Sequence, residues 1–329
     1  MNTHFTAPLL AHFGLGPPGI YESAQHRMHA AEIAAAVQAN QLVALTGEPG
    51  AGKTTLLRMA RERMGGNVRI VTVMNRDRAR LRAGHIATAA ITQLSAESAR
   101  RDLETRIMQF TRIVGSRYAA GERICIVVDE AHRIRGDAYA QLKDLRECEF
   151  TIGGKPVAPL FSLLLVGHPR LTDQLKRRRE LHYRTLPFDL SEEAGWMTRS
   201  NREDYLLERF GTAIEERTRQ RLAALYKVPL ALDYAVARAM RAARAAGYPP
   251  VNDASLQLSI AELYEQLGRP GLADIAKAAG CSKASAHNAL KGATSNPDIL
   301  DGVRRALTTL WDASVGVSTS STTPRRRAA

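Results

Sequence analysis

Aromatic residues make up only 5% of this 329-residue chain, and its three cysteines, Cys125, Cys148 and Cys281, fall at spacings that no metal site uses. Their odd number fits a reducing compartment. No apolar run approaches the length of a membrane span, and the first residues hold neither a basic leader nor a signal-type apolar stretch, so a cytoplasmic location is expected. Acidic side chains are also scarce: 33 Asp and Glu stand against 46 Lys and Arg, a formal charge of +13. Arginines that cluster rather than intersperse imply an acidic partner, and nucleic acid is the usual one. A chain of this length can bury a sizeable core and is expected to hold two or three domains.

What the chain does have is Gly47-Glu48-Pro49-Gly50-Ala51-Gly52-Lys53-Thr54, followed by Thr55. This G-x-x-x-x-G-K-[ST] pattern is a phosphate loop. Its glycines allow a tight turn whose backbone N–H groups point at phosphate oxygens, its lysine reaches the β and γ phosphates, and the Thr54 hydroxyl ligates Mg²⁺. The flanks suit it, because Leu42-Val43-Ala44-Leu45 reads as a buried strand and Thr55-Leu56-Leu57-Arg58-Met59 as a helix. Residues 47–55 are therefore the candidate ATP site. Further on, Ile124-Cys125-Ile126-Val127-Val128 ends in Asp129-Glu130, a Walker B strand. Asp129 would hold Mg²⁺ and Glu130 would polarise the attacking water.

Periodicity predicts a helix over residues 27–38, strands at 42–45, 68–74, 124–128, 161–166 and 185–190, and helices at 85–95 and 103–115. That is an α/β fold: a parallel sheet of about five strands flanked by helices. Strand signals vanish over 191–247, where Ala, Arg and Leu recur at helical spacing. The expected organisation is an N-terminal extension (1–20) packed loosely on the body, an ATPase core (21–190), a helical lid (191–248), a linker opened by Pro249-Pro250 (249–268), an all-α bundle (269–313) and a disordered basic tail (314–329).

Several local motifs resemble those of AAA+ ATPases in the group that contains the phage Mu B transposition protein, the TnsC and TniB transposition regulators and ExeA-type ATPases. They are Tyr21-Glu22-Ser23 with His26, Val128-Asp129-Glu130-Ala131-His132, and Leu165-Val166-Gly167-His168-Pro169-Arg170-Leu171. The resemblance covers residues 21–247. It implies that His168 is a sensor watching the γ-phosphate and that Arg184 reaches a neighbouring subunit's nucleotide, with Arg177, Arg178 and Arg179 competing for that task. One departure stands out. Where related lids carry an arginine after a Gly-Ile-Pro turn, this chain reads Lys227-Val228-Pro229-Leu230, so a sensor 2 arginine is missing and slow or partner-dependent turnover is expected.

The same resemblance implies that Arg76, Arg78, Arg80 and Arg82 face duplex DNA inside a helical assembly, reading phosphates rather than bases. Arg133, Arg135 and Lys143 are weaker candidates. Residues 272–290 resemble the helix-turn-helix headpiece of LacI-type repressors, with Ala276 at the helix crossing and Gly280 at the turn. Ser282, Lys283, Ser285, His287 and Asn288 would then face the major groove or phosphates. In Mu B such a domain lies at the N-terminus instead. The implied function is an ATP-dependent regulator of DNA transposition that oligomerises on double-stranded target DNA and recruits or stimulates a transposase, hydrolysis driving disassembly. A helicase loader and an ATP-sensing transcription regulator are the alternatives.

Overall fold

A computed structural model describes residues 4–17, 19–73, 81–134, 137–247, 250–256, 258 and 260–315. The chain divides into two compact units. One comprises Tyr21–Thr198 and Val228–Leu230, the other Met1–Ile20, Arg199–Lys227 and Ala231–Ala329. The short helix α1 (Ala7–His12) belongs to the second.

The first unit is built on a five-stranded parallel sheet. In chain order its elements are α2 (Ala24–Gln38), β1 (Leu42–Thr46), α3 (Lys53–Arg63), β2 (Val68–Thr72), α4 (Ala83–Leu94), α5 (Leu103–Ala119), β3 (Arg123–Val128), α6 (Ala138–Glu147), β4 (Phe150–Ile152), β5 (Lys155–Val157), β6 (Phe161–Gly167), α7 (Arg170–Lys176), α8 (Arg179–His182) and β7 (Thr185–Asp189). The strand order is β2-β3-β6-β1-β7. Every residue of β1 and β6 is buried, which is why those segments read as unbroken apolar runs rather than alternating ones. Leu42 and Ala44, Ile124, Ile126 and Val128, and Phe161, Leu163 and Leu165 turn one face of the sheet toward Ile86, Ile91, Phe110 and Val114 of α4 and α5. The Phe110 and Phe161 rings meet edge to face at 5.5 Å, and full burial of one such side chain contributes roughly 1.5–3 kcal/mol. Helix starts follow local chemistry: the Ser23 hydroxyl caps α2 by accepting from the His26 N–H, and the Asp102 carboxylate caps α5 through Thr105.

Register fixes where the chemistry falls. Thr46 pairs with Gly167 on one side and Asp189 on the other, and Val128 pairs with Leu165. The segments after β1, β3 and β6 therefore leave the sheet together at its carboxyl edge, where ligands bind in open α/β sheets. One element escapes the sequence pattern. Strands β4 and β5 form a separate antiparallel hairpin turned by Gly153 and Gly154, both at positive φ. Its Phe150 ring lies so close to α5 that a Cβ added at Gly115 would come within 2.2 Å of it.

Among the described residues, the further named elements of the second unit are helices: α9 (Arg199–Phe210), α10 (Glu216–Leu225), α11 (Pro229–Ala246, its first two residues grouped with the first unit), α12 (Ile260–Gln266), α13 (Leu272–Ala279), α14 (Lys283–Leu290) and α15 (Pro297–Val315). A buried polar knot ties α9 to α11: Arg209 donates to both Asp233 oxygens at 2.9 Å, and Tyr205 donates to the same carboxylate at 2.7 Å. Burial holds the Asp233 carboxyl above the usual carboxylate range despite these bonds. Helix α13 stops at Gly280, whose φ of 66° is the left-handed conformation that closes the turn.

Three expectations about this region need correction. Residues 4–13 are packed, not loose, because Leu9 and Leu10 are buried, Phe5 meets Phe210 at 5.3 Å and Arg241 donates to the His4 carbonyl. The segment expected as a linker contains α12, held by an Arg238–Glu262 ion pair and by buried Ile260 and Leu263. Helix α15 runs to Val315, past the expected start of the tail, and its Trp311 ring lies under the Arg221 guanidinium at 5.1 Å.

Candidate functional site

The loop after β1 turns through Gly50 and Gly52, at φ of 85° and 99°, values that side-chain-bearing residues rarely adopt. A Cβ on Gly52 would meet nothing within 4 Å, so this side of the loop opens outward. Gly47 and Gly50 are constrained by crowding instead: a Cβ on Gly47 would come within 2.9 Å of Leu190, and one on Gly50 within 2.5 Å of Leu230. Helix α3 starts at Lys53, so the free N–H groups of its first turn and its positive dipole end face the loop. The Lys53 ammonium donates to the Gly47 and Glu48 carbonyls at 2.7 and 3.0 Å. Burial lowers its pKa, and the nearby carboxylates of Glu130, Asp129 and Glu48 partly offset this.

Asp129 and Glu130 follow β3. The Glu130 N–H donates to Asp129 Oδ1 at 2.8 Å, and Glu130 itself sits at φ 55°, a left-handed conformation costly for a residue with a Cβ. Its Oε2 lies 3.7 Å from His132 Nε2 and 3.8 Å from Arg133 Nε. His168, at the end of β6, places Nε2 3.1 Å from Glu48 Oε2 and donates its backbone N–H to His132 Nδ1 at 3.3 Å. Burial pulls the His132 imidazole below its ordinary pKa, against the opposing pull of Glu130. Thus Lys53, Glu48, Asp129, Glu130 and His168 come together around one loop, with Thr54 exposed on the first turn of α3 and Thr55 behind it.

Beneath the loop lies the Tyr21–His26 lead-in. Trp196, buried, donates its indole N–H to the Ala51 carbonyl at 2.9 Å, and its ring meets that of His26 at 4.2 Å. Burial among these rings pushes the His26 pKa down to about 4. Trp196 and His132 carry no role in the sequence reading. His132 is adjacent to the Walker B carboxylates and could have been suspected from that position; Trp196 sits in a loop with no pattern to mark it.

Hard oxygen donors suit Mg²⁺, and Thr54 with Asp129 would supply the protein's share, nucleotide oxygens and water completing the shell. Among the described residues no group of three or more His, Cys, Asp or Glu could hold a metal without such help. The ion would neutralise charge on the transferring phosphoryl group.

Arg184 is not part of this cluster. It precedes Thr185, which pairs with Leu42 at the opposite, amino edge of the sheet, and it bonds Glu147 at 2.5 Å. Of the DNA candidates, Arg76, Arg78, Arg80 and Arg135 lie outside the described residues. Arg82 is 3.4 Å from Asp137 and immediately precedes α4, Arg133 lies by Glu130, and Lys143 pairs with Glu180 at 2.5 Å. On α14, Lys283, His287 and Asn288 are exposed, while Ala286 and Ala289 are buried. Ser282 is exposed and caps the helix by accepting from the Ser285 N–H at 3.1 Å; Ser285 is half-buried.

The AAA domain family matches residues 37–175. No curated protein matches the sequence. Among solved structures, Cdc6p from Pyrobaculum aerophilum superposes with a TM-score of 0.50 at 16% identity, covering 90% of this chain and 86% of that one. The ORC2 protein of Aeropyrum pernix in its ADPNP–ADP complexes gives 0.46 at 14% identity, covering 90% and 82%. The Thermotoga maritima RuvB Holliday junction branch migration motor gives 0.43 at 16%, covering 85% and 87%. No described helix is long and apolar enough to cross a membrane. Residues 37–175 match the AAA domain family, and the five-stranded parallel sheet around the phosphate loop has the fold of AAA+ proteins.

Proposed function

We propose that the protein is an ATP-dependent, DNA-binding regulator of transposition that oligomerises on duplex target DNA and recruits or stimulates a transposase, with ATP hydrolysis driving disassembly. The observation that carries this reading is the contact chain from His26 through Trp196 to the Ala51 carbonyl. It ties the lead-in motif that resembles the Mu B, TnsC and TniB group directly to the phosphate loop. The formal charge of +13 supports a polyanionic partner.

Within the site, Lys53 and the loop N–H groups hold the phosphates, Thr54 and Asp129 hold Mg²⁺, Glu130 takes the proton of the attacking water, and His168 reports the γ-phosphate. The lid supports the expected shortage of cations. Leu230, where related proteins carry an arginine, donates its backbone N–H toward the Gly50 carbonyl at 3.4 Å and offers the loop only an apolar side chain. A cation from a neighbouring copy, Arg184, would fill that deficit, so turnover would depend on assembly. Residues 269–313 would act as a helix-turn-helix module, and the exposed row of Lys283, His287 and Asn288 also favours the second reading, an ATP-sensing transcription regulator.

Salt-dependent binding to random duplex DNA separates the two. Replacing Arg76, Arg78, Arg80 and Arg82 by alanine is expected to weaken ATP-dependent binding to all sequences alike. The salt dependence should flatten by about one unit of slope per lost phosphate contact. Replacing Lys283, His287 and Asn288 should spare that binding; these are better probes than deletion, which would strip Trp311 from Arg221. Loss of all DNA binding in the second variant, with the first unaffected, would favour the transcription regulator.

A further inference from the structure

We propose that His132 is a positioning residue for the ATPase reaction, orienting the Glu130 carboxylate through its Nε2–H; this rests on the reading of Glu130 as the base. The geometry fixes the proton. His132 Nδ1 faces the His168 backbone N–H at 3.3 Å, and since a backbone amide can only donate, that nitrogen is the acceptor and Nε2 carries the hydrogen. Nε2 lies 3.7 Å from Glu130 Oε2.

The backbone that carries the ring is held from the far side. Gln174 donates to the His132 carbonyl at 2.8 Å, and the single Tyr139 hydroxyl hydrogen is shared between Gln174 Oε1, at 2.9 Å, and the Ala131 carbonyl, at 3.2 Å. The end of β6 presses against the ring, since a Cβ on Gly167 would come within 3.2 Å of His132 Nδ1. Glu130 has no comparable anchor. It is half-exposed, in a left-handed backbone conformation, and contacts only His132, Arg133 and its Asp129 neighbour among the described partners. A base so exposed needs a donor at one oxygen so that the other faces the attacking water, and the half-buried His132 imidazole, its Nε2 3.7 Å from Glu130 Oε2, is placed to become that donor once the carboxylate closes the remaining gap.

The arrangement also links base to sensor. His168 offers its N–H to His132 and its Nε2 to Glu48 on the phosphate loop, 3.1 Å away. Its Nδ1 accepts from the Arg170 N–H at 3.3 Å, so Nε2 is the protonated nitrogen facing Glu48. Any movement of His168 toward a γ-phosphate is felt at His132, and through it at Glu130.

The test uses two substitutions that split the imidazole's functions. His132→Asn keeps an acceptor near Nδ1 for His168 but lacks a donor reaching Glu130, whereas His132→Gln keeps a donor near Nε2. ATP cleavage would be followed in a single turnover with saturating ATP, Mg²⁺ and duplex DNA, and ATP affinity by titration with a fluorescent ATP analogue. The asparagine variant is expected to lose roughly tenfold to a hundredfold in cleavage rate with affinity within about twofold of the parent, and the glutamine variant to recover most of that rate. Adding His132→Asn to Glu130→Gln should cause no further loss, because His132 acts through that carboxylate. Parental cleavage by the asparagine variant, failure of glutamine to restore it, or an additive loss in the double variant would each overturn the proposal. Parental cleavage by Glu130→Gln alone would instead remove the base assignment beneath it.

Discussion

Lys53→Ala protein is expected to bind ATP at least about a hundredfold more weakly than the parent. The ammonium is the one cation rooted in the phosphate loop, at the first residue of α3. Its two present acceptors, the Gly47 and Glu48 carbonyls, are neutral and would yield readily to phosphate oxygens. Charge-assisted bonds of this kind contribute about 1.5–3 kcal/mol each, so losing a lysine that spans two phosphates costs a hundredfold or more. Leu230 cannot compensate, since it brings an apolar side chain to Gly50 where a lid arginine would have brought charge. Titration with a fluorescent ATP analogue, with circular dichroism to check folding, measures the effect. Parental affinity would mean the phosphates are held elsewhere.

Glu130→Gln protein is expected to keep ATP affinity while losing about a hundredfold or more in hydrolysis, the range for removing a general base. Glutamine preserves the shape of the side chain but cannot take a proton. It also removes a negative charge that acts on Lys53 and would repel the γ-phosphate, so the substitution gives no reason for affinity to fall. If hydrolysis drives disassembly, the variant should stay on DNA longer. Phosphate release and DNA dissociation rates check both halves, and normal hydrolysis would contradict the assigned base.

The parts of this chain that can be read without coordinates are those where backbone geometry restricts residue choice. Gly50 and Gly52 stand at positive φ, so a loop of that shape announces itself, and buried parallel strands such as β1 and β6 need unbroken apolar runs. What escapes reading depends on distant partners. Phe150 and Val157 look like loop residues until Gly115 on α5 leaves room for the Phe150 ring. Residues 4–13 look like a loose extension because their partners, Phe210 and Arg241, lie at the far end of the sequence. Helix α12 hides among proline and glycine signals, since its stability comes from Arg238 and α15 rather than from its own length. His132 reads as one more residue of the Walker B segment, and only the register of β3 against β6 brings His168 to its ring.

Electron microscopy of the protein with ATP and random-sequence duplex DNA tests the central claim most directly. Filaments wound on DNA, forming with ATP and dispersing as it is hydrolysed, are the predicted result. Monomers or closed rings that leave the DNA bare under the same conditions would contradict it.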